Sequence, residues 1–138
     1  MIEVYLNLNG NAEEAANYYA KAFGAEAPYL MRFHDMPKED QLNAAPGMEK
    51  LVIYGNVKTF AGDLMLSDEL PGLTVNPTSA VWITLSHDDA QRVRSAFEAL
   101  ARDGEVLMPL EPAFFSPLYG QLRDKYGFHW MFMMPSPL

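Results

Sequence analysis

Residues 4–8 read VYLNL and residues 81–85 read VWITL, and this pair of matching pentapeptides decides the fold. Both follow the order valine, aromatic, aliphatic, polar, leucine. In each, large apolar residues on one face alternate with aromatic or polar residues on the other, which is the pattern of a β-strand with one buried face. The sequence therefore predicts two equivalent strands, one near the start of the chain and one in its second half.

A helix with similar start and stop signals follows each of these strands. The first helix, predicted over residues 12–22, begins after an asparagine N-cap and ends at Gly24. The second, predicted over residues 88–102, begins after a weaker capping box at Ser86 and ends at Gly104. Because strand, helix and stop recur in the same order, the sequence predicts an internal duplication.

Three strand-like segments follow each helix. They are predicted over residues 29–35, 49–59 and 63–67 in the first half, and over residues 105–110, 118–125 and 128–134 in the second. Residues 36–47 are predicted as a long loop, and residues 68–78 form a linker rich in turn residues that joins halves 1–70 and 78–138. The predicted fold class is therefore α+β. It is one domain of two tandem βαβββ modules, each a curved mixed sheet with its helix outside.

Composition excludes several classes of function. The 138 residues carry a formal net charge of -8 without a basic cluster, which argues against nucleic acid or an anionic membrane as a partner. The chain contains no cysteine, so disulfides, thiolate catalysis and cysteine-ligated metal sites are excluded. No basic leader precedes an apolar segment, and no apolar run approaches the length that crosses a bilayer. We expect a cytoplasmic protein without a membrane partner.

Three segments resemble PhnB-like proteins of the glyoxalase, bleomycin resistance and dioxygenase superfamily, also called the vicinal oxygen chelate superfamily. They read NLNGNAEEAANYYAKAFGAE from residue 7, GDLMLSDELPG from residue 62, and GEVLMPLEPAFFSPLYGQLRDKYGFHWMF from residue 104. The resemblance covers nearly the whole chain and implies the doubled βαβββ fold. Some PhnB-like proteins are described as demethylubiquinone methyltransferases. The nine glycines of this chain include no G-x-G pair, so we do not expect a methyl-donor loop or methyltransferase activity.

The same resemblance implies a metal ion, which superfamily enzymes hold with one residue from each of four strands. Carried over to this chain, those positions fall near Tyr5, Met65, Trp82 and Met131. Divalent metals in such sites need imidazole or carboxylate ligands, and a phenol, two thioethers and an indole do not provide them. The interpretation is that the metal centre has been lost. We therefore expect no metal, no cofactor and no glyoxalase or dioxygenase chemistry.

The strand alternation also predicts a ligand pocket. The uniformly apolar faces, which include Leu6 and Val81, are expected to cover the helices, so the opposite faces look into a cup. On the last strand the resemblance places Met131, and with it His129, on the cup side. The predicted lining consists of Tyr5, Asn7, His34, Met65, Trp82, Phe115, Tyr119, Gln121, Arg123, His129 and Met131.

Three functions are compatible with this pocket. The first is binding of a small organic ligand in a metal-free cup, where Arg123 would pair with a ligand carboxylate or phosphonate unless Asp124, Glu111 or solvent occupies it. The second is an enzyme of isomerase or lyase type with His129 or a carboxylate as base, or with a metal held by histidines. The third is a structural homodimer module whose methionine-rich last strand is the interface. The resemblance implies a homodimer in all three, and the first is preferred.

Overall fold

A computed structural model of the chain describes residues 1–42 and 44–135. Asn43, in the predicted loop 36–47, and residues 136–138, at the end of the predicted second half, lie outside the described residues. Contacts along the chain group it into two units. The first unit comprises Met1–Lys21 with Ala25–Asn76, and the second comprises Ala22–Gly24 with Pro77–Leu138.

The first unit contains a four-stranded mixed sheet. The elements in order are β1 (Val4–Leu8), α1 (Ala12–Ala22), β2 (Tyr29–Arg32), β3 (Val52–Thr59) and β4 (Gly62–Asp68). The strand order is β1-β4-β3-β2, with β1 parallel to β4 and the other pairs antiparallel. The predicted alternation of β1 is confirmed, because Leu6 and Leu8 are buried while Tyr5 and Asn7 are exposed.

The carboxylate of Asp68 fixes the starts of α1 and β3. Its Oδ1 accepts a hydrogen bond from the Ala12 amide at 2.8 Å, and its Oδ2 accepts one from the Val52 amide at 2.9 Å. The first amides of a helix have no partner within the helix, so a side chain must satisfy them. The predicted asparagine cap is wrong in this respect, since Asn11 Oδ1 is buried without a hydrogen-bond partner in the described part of the chain and Asp68 takes its role.

The second unit repeats the topology of the first. Its elements are β5 (Trp82–Ser86), α2 (Ala90–Asp103), β6 (Glu105–Ala113), β7 (Ser116–Arg123) and β8 (His129–Met133). The strand order is β5-β8-β7-β6, with β5 parallel to β8. Each unit thus contains a sheet in which the first strand of the module lies beside its last. The predicted α+β fold of two tandem βαβββ modules is confirmed.

The strands on either side of the predicted loop are shorter than predicted. β2 ends at Arg32, because the next three residues form a 3-10 helix that Asp35 closes by accepting a hydrogen bond from the Arg32 amide at 2.9 Å. β3 begins at Val52, after another 3-10 helix, Met48–Lys50. His34, predicted on a strand, therefore lies at an exposed position of a 3-10 helix.

The second helix and the strand before it also begin later than predicted. The N-cap of α2 is Asp89, whose side chain accepts hydrogen bonds from two backbone amides of the first turn. Ser86, the predicted cap, is instead the last residue of β5. Val81, predicted on the apolar face, precedes β5 and is 76% exposed, because strand pairing begins only at Trp82.

The helices are short. α1 has 11 residues and α2 has 14, whereas a helix that crosses a membrane needs about 20 apolar residues. No helix within residues 1–42 and 44–135 is long and apolar enough to cross a membrane.

Candidate functional site

One face of the second sheet lies away from α2. The ring of Phe97 on α2 meets the ring of Phe132 on β8 edge-on, with centroids 5.5 Å apart, and Phe132 is fully buried. Side chains alternate along a strand, so the neighbours of Phe132 in β8 project to the opposite face. That opposite face, called here the helix-free face of the second sheet, carries His129, Met131 and Met133 from β8.

The register of the strands arranges the helix-free face in three rows. Residues paired across β5, β8, β7 and β6 stand side by side and are close enough for their side chains to interact. The rows are Trp82, His129, Arg123 and Glu105; Thr84, Met131, Gln121 and Met108; and Ser86, Met133, Tyr119 and Glu111. The structure therefore brings together six of the predicted pocket residues, namely Trp82, Tyr119, Gln121, Arg123, His129 and Met131.

Trp82 and His129 form an aromatic pair in the first row. Their ring centroids are 4.8 Å apart with an interplanar angle of 64°. The indole Nε1 of Trp82 donates a hydrogen bond to the Ser79 carbonyl at 2.8 Å, which fixes the orientation of the indole. The Nδ1 atom of His129 is buried and has no hydrogen-bond partner among the described residues. The pair thus combines an indole whose Nε1 is hydrogen-bonded with an imidazole whose Nδ1 has no hydrogen-bond partner among the described residues.

A chain of polar contacts crosses the other two rows. Gln121 Nε2 donates to the Tyr119 hydroxyl at 2.7 Å, and that hydroxyl donates to the sulfur of Met131 at 3.1 Å. The ring of Phe115, in the turn between β6 and β7, meets the Tyr119 ring edge-on at 4.8 Å. These contacts hold Tyr119 and Gln121 in one arrangement and leave the Gln121 carbonyl oxygen without a hydrogen bond in the described part of the chain.

Arg123 is paired, but not with any of the partners that the sequence indicated. Its Nη2 lies 2.7 Å from Oε2 of Glu105 on the neighbouring strand β6. Asp124 and Glu111, the predicted alternatives, are not its partners in the structure. Both side chains of the pair are about half exposed, at 51% and 57%, and an exposed ion pair of this kind contributes only about 0–1 kcal/mol. The guanidinium therefore has a weakly held partner that a ligand anion can replace.

The predicted pocket residues of the first unit lie apart in the chain and on different kinds of element. Tyr5 and Asn7 project from the same face of β1, and Met65 on β4 is the cross-strand neighbour of Tyr5. Tyr5 is 46% exposed. The His34 side chain is 52% exposed, and its Nδ1 lies 3.0 Å from the carboxylate of Asp35. His34 thus has a local partner in its 3-10 helix.

The side chains at the positions that the resemblance implies for metal ligands do not fit a metal. Tyr5 pairs with Met65, but the residue across from Trp82 is His129 and not Met131. The predicted set contains no imidazole. Adding His129, the cross-strand neighbour of Trp82, would supply only one, which does not hold a divalent ion with a phenol, thioethers and an indole. Within residues 1–42 and 44–135, no three His, Cys, Asp or Glu side chains are grouped so that they would hold an ion.

A cavity of about 560 Å³ in the first unit was not predicted from the sequence. Its lining consists of Glu26, Ala27, Tyr29, Tyr54, Asn56 and Lys58. The alternation of Tyr54, Asn56 and Lys58 along β3 was a signal for a polar face. Tyr29 lies across from Asn56 in β2, and such a pairing between strands cannot be read from the order of residues.

Comparison with known proteins identifies the family to which the chain belongs. The sequence profile of the family described as 3-demethylubiquinone-9 3-methyltransferase matches residues 1–133. Protein YjdN of Escherichia coli K12 is 30% identical over 133 residues, which are 92% of this chain and 90% of YjdN. The match establishes membership of a family and not the methyl transfer that the description names.

Solved structures agree with the sequence comparison. Protein PA1353 from Pseudomonas aeruginosa is 25% identical with a TM-score of 0.78, over 98% of both chains. The PhnB protein from Bacillus cereus is 28% identical with a TM-score of 0.73, over 96% of this chain and 98% of its own. A glyoxylase/bleomycin resistance protein/dioxygenase domain from Frankia sp. EAN1pec shares the fold at 12% identity, with a TM-score of 0.66 over 98% and 96% of the two chains. The chain therefore belongs to the family described as 3-demethylubiquinone-9 3-methyltransferase, is similar to the PhnB protein, and shares its fold with the glyoxylase/bleomycin resistance protein/dioxygenase domain.

Proposed function

We propose that the chain binds a small, flat organic molecule on the helix-free face of the second sheet, without a metal ion. The observation that carries the proposal is the environment of His129. Its ring packs against Trp82, and its Nδ1 is buried without a hydrogen-bond partner among the described residues. A buried polar atom without a partner costs about 1–3 kcal/mol, and such a cost marks a group whose partner comes from outside the chain.

The neighbours of His129 supply the rest of a small-molecule site. Trp82 and the thioether of Met131 offer apolar surface. The carbonyl oxygen of Gln121, which has no hydrogen bond among the described residues, can accept one from a ligand. Arg123 offers a cation whose present partner is weakly held. A mostly apolar surface with a few convergent polar groups is the usual composition of a ligand site.

Some of the predictions from the sequence enter the proposal unchanged. Phe115 borders the site through its contact with Tyr119. Tyr5, Asn7 and Met65 remain predicted pocket residues, and the cytoplasmic location also stays a prediction.

Aromatic carboxylates and phosphonates such as benzoate and phenylphosphonate are the first compounds to test. A compound that binds only the folded chain raises its melting temperature, and at 100 times its Kd it adds about 2.7 kcal/mol of stability. We expect a compound that raises the melting temperature also to change the tryptophan fluorescence through Trp82, since Trp130, the other tryptophan, is 1% exposed. In the His129→Ala variant we expect its affinity to fall about tenfold.

The matched control is His87→Ala, which removes an imidazole from the segment between β5 and α2. The Nδ1 atom of His87 accepts a hydrogen bond from the Asp89 amide at 3.0 Å, so that ring has a structural partner. We expect its removal to leave ligand affinity unchanged. Equal affinities in the two variants, or a fluorescence change that persists in Trp82→Phe, would place the ligand elsewhere and contradict the proposal.

We also propose that the chain forms a homodimer through β6. β6 is an edge strand, and its consecutive residues Val106, Leu107 and Met108 are 46%, 40% and 47% exposed. Proteins usually protect such an edge with charge or cover it, because exposed apolar edges associate. Pro109 and Pro112 interrupt the hydrogen-bonding groups of this edge, so the expected contact is made by side chains and not by a continuous sheet.

The Val106→Lys/Leu107→Lys variant tests the dimer. We expect light scattering to give a dimer mass for the parent and a monomer mass for this variant, because two lysines would be buried without partners in the interface. Val81→Lys, which changes an equally apolar but more exposed residue outside β6, is expected to remain dimeric. A monomeric parent, or an unchanged mass in the β6 variant, would refute this interface.

A further inference from the structure

The cavity of about 560 Å³ in the first unit lies on the face of its sheet that carries the polar residues of β3. Tyr54, Asn56 and Lys58 project into its wall from β3, while the residues between them, Gly55 and Val57, are buried on the other face. Small-molecule sites commonly measure about 300–1,000 Å³. The cavity is therefore large enough to admit a small molecule such as an amino acid with a large side chain.

Two tyrosines and an asparagine form the middle of this cavity. The rings of Tyr29 and Tyr54 have centroids 6.1 Å apart and are inclined by 53°. Asn56 Nδ2 lies 3.2 Å from the Tyr54 hydroxyl and 3.3 Å from an Asp63 carboxylate oxygen, which fixes the orientation of the amide. Its Oδ1 is buried and has no hydrogen-bond partner within the described residues. The middle of the cavity thus offers aromatic surface and an unused acceptor.

Two opposite charges complete the lining. Glu26 precedes β2, and Lys58 lies near the end of β3, and both side chains are exposed. Neither forms an ion pair or a side-chain hydrogen bond with the described residues, although Asp63 is the cross-strand neighbour of Lys58. A carboxylate and an ammonium that border one cavity without pairing with each other are placed to bind the two charges of a third molecule.

We propose that this cavity is a second ligand site, selective for small zwitterions with an aromatic or planar body. The anionic group of the ligand pairs with Lys58, its cationic group pairs with Glu26, and its body lies against Tyr29 and Tyr54. None of the residues that line this cavity belongs to the helix-free face of the second sheet.

Three probes of one shape separate the contributions of the two charges. They are L-phenylalanine, which is a zwitterion, 3-phenylpropanoate, which lacks the ammonium, and phenethylamine, which lacks the carboxylate. In nitrogen-15 NMR titrations of the full chain, we expect L-phenylalanine to bind most tightly and to shift the amides of Tyr29, Tyr54 and Asn56. We expect Lys58→Gln to lower the affinity for L-phenylalanine and for 3-phenylpropanoate about three- to fivefold. We expect Glu26→Gln to lower the affinity for L-phenylalanine and for phenethylamine by a similar factor.

Lys50→Gln and Glu3→Gln are matched controls, because each makes the same charge change at an exposed position outside the cavity. We expect both to leave the dissociation constant of L-phenylalanine unchanged and the amide of Trp82 unshifted. Absence of a saturable shift of the Tyr29 and Tyr54 amides up to about 20 mM probe would overturn the proposal. Equal dissociation constants in the parent, Lys58→Gln and Glu26→Gln would overturn it as well. Either result leaves the proposal for the second sheet unaffected.

Discussion

Replacing Asp124 by alanine is expected to lower the free energy of unfolding by about 3–5 kcal/mol. The carboxylate is 3% exposed and accepts hydrogen bonds from three donors. Its Oδ1 accepts hydrogen bonds from the backbone amides of Tyr126 and Phe128 at 2.9 and 3.1 Å, and its Oδ2 accepts one from Nε1 of Trp130 at 2.8 Å. Alanine leaves these donors without their acceptor in a buried corner. Chemical denaturation monitored by circular dichroism measures the loss.

Two further variants make this prediction specific. Asp124→Asn keeps one acceptor oxygen but turns an amide NH₂ toward one of the donors, so we expect an intermediate loss of about 2 kcal/mol. Asp88→Ala removes an exposed carboxylate ahead of α2 and is expected to change stability by no more than about 0.5 kcal/mol. If Asp124→Ala costs no more than Asp88→Ala, the carboxylate does not hold the turn between β7 and β8.

The Asp124 network explains the most specific part of the family resemblance. In the segment DKYGFHW, the aspartate accepts the hydrogen bonds just described, and Gly127 has a φ of +93°, which favours glycine. Trp130 supplies the indole donor and is buried. Asp124, Gly127 and Trp130 stabilise the conformation of the turn between β7 and β8. The resemblance in this segment therefore rests largely on residues that shape the turn, whereas His129, next to Trp130, faces the candidate site.

Local signals in the sequence predicted the order of the elements well. The alternation in VYLNL and VWITL located β1 and β5, and the glycine after each helix marked where α1 and α2 end. Predictions failed where a distant or downstream side chain competed for a backbone group. Asp68 caps α1 from a strand far along the chain, and Asp35 turns the end of β2 into a 3-10 helix. The sequence around α1 does not indicate the contact between Asp68 and the Ala12 amide.

The face of the strand on which each site residue lies could be predicted, but the residue that it contacts could not. Alternation along β7 put Gln121 on the same face as Tyr119 and Arg123, and the family resemblance put Met131 on that side. In the structure Gln121 and Met131 are cross-strand neighbours. The partner of Arg123 was not predictable, since it depends on the register of β6, which contains several irregularities against β7. The same holds for the pairing of Trp82 with His129, which depends on the register of β5 against β8.

Gly104→Ala is expected to destabilise the chain by about 3 kcal/mol or more, although Gly104 does not have a positive φ. A Cβ at this position would lie 2.3 Å from the Arg123 carbonyl oxygen and 2.9 Å from the Leu100 carbonyl oxygen. Both are backbone atoms, which cannot move aside as a flexible side chain does. The clash can therefore be relieved only if α2 shifts away from the end of β7, next to Asp124 and its hydrogen bonds. Thermal and chemical denaturation measure the cost.

Gly24→Ala is the comparison that separates packing from backbone conformation. Gly24 has a φ of +63°, but a Cβ there meets nothing within 4 Å, so we expect a cost of only about 1 kcal/mol. Backbone conformation alone would rank Gly24→Ala as the more damaging change, and close packing ranks Gly104→Ala as the more damaging. If Gly24→Ala proves the costlier, α2 is not packed against the end of β7 as the structure has it. If Gly104→Ala proves costlier, the close approach of the C-terminal end of α2 to the Arg123 carbonyl, next to Asp124, is what this glycine permits.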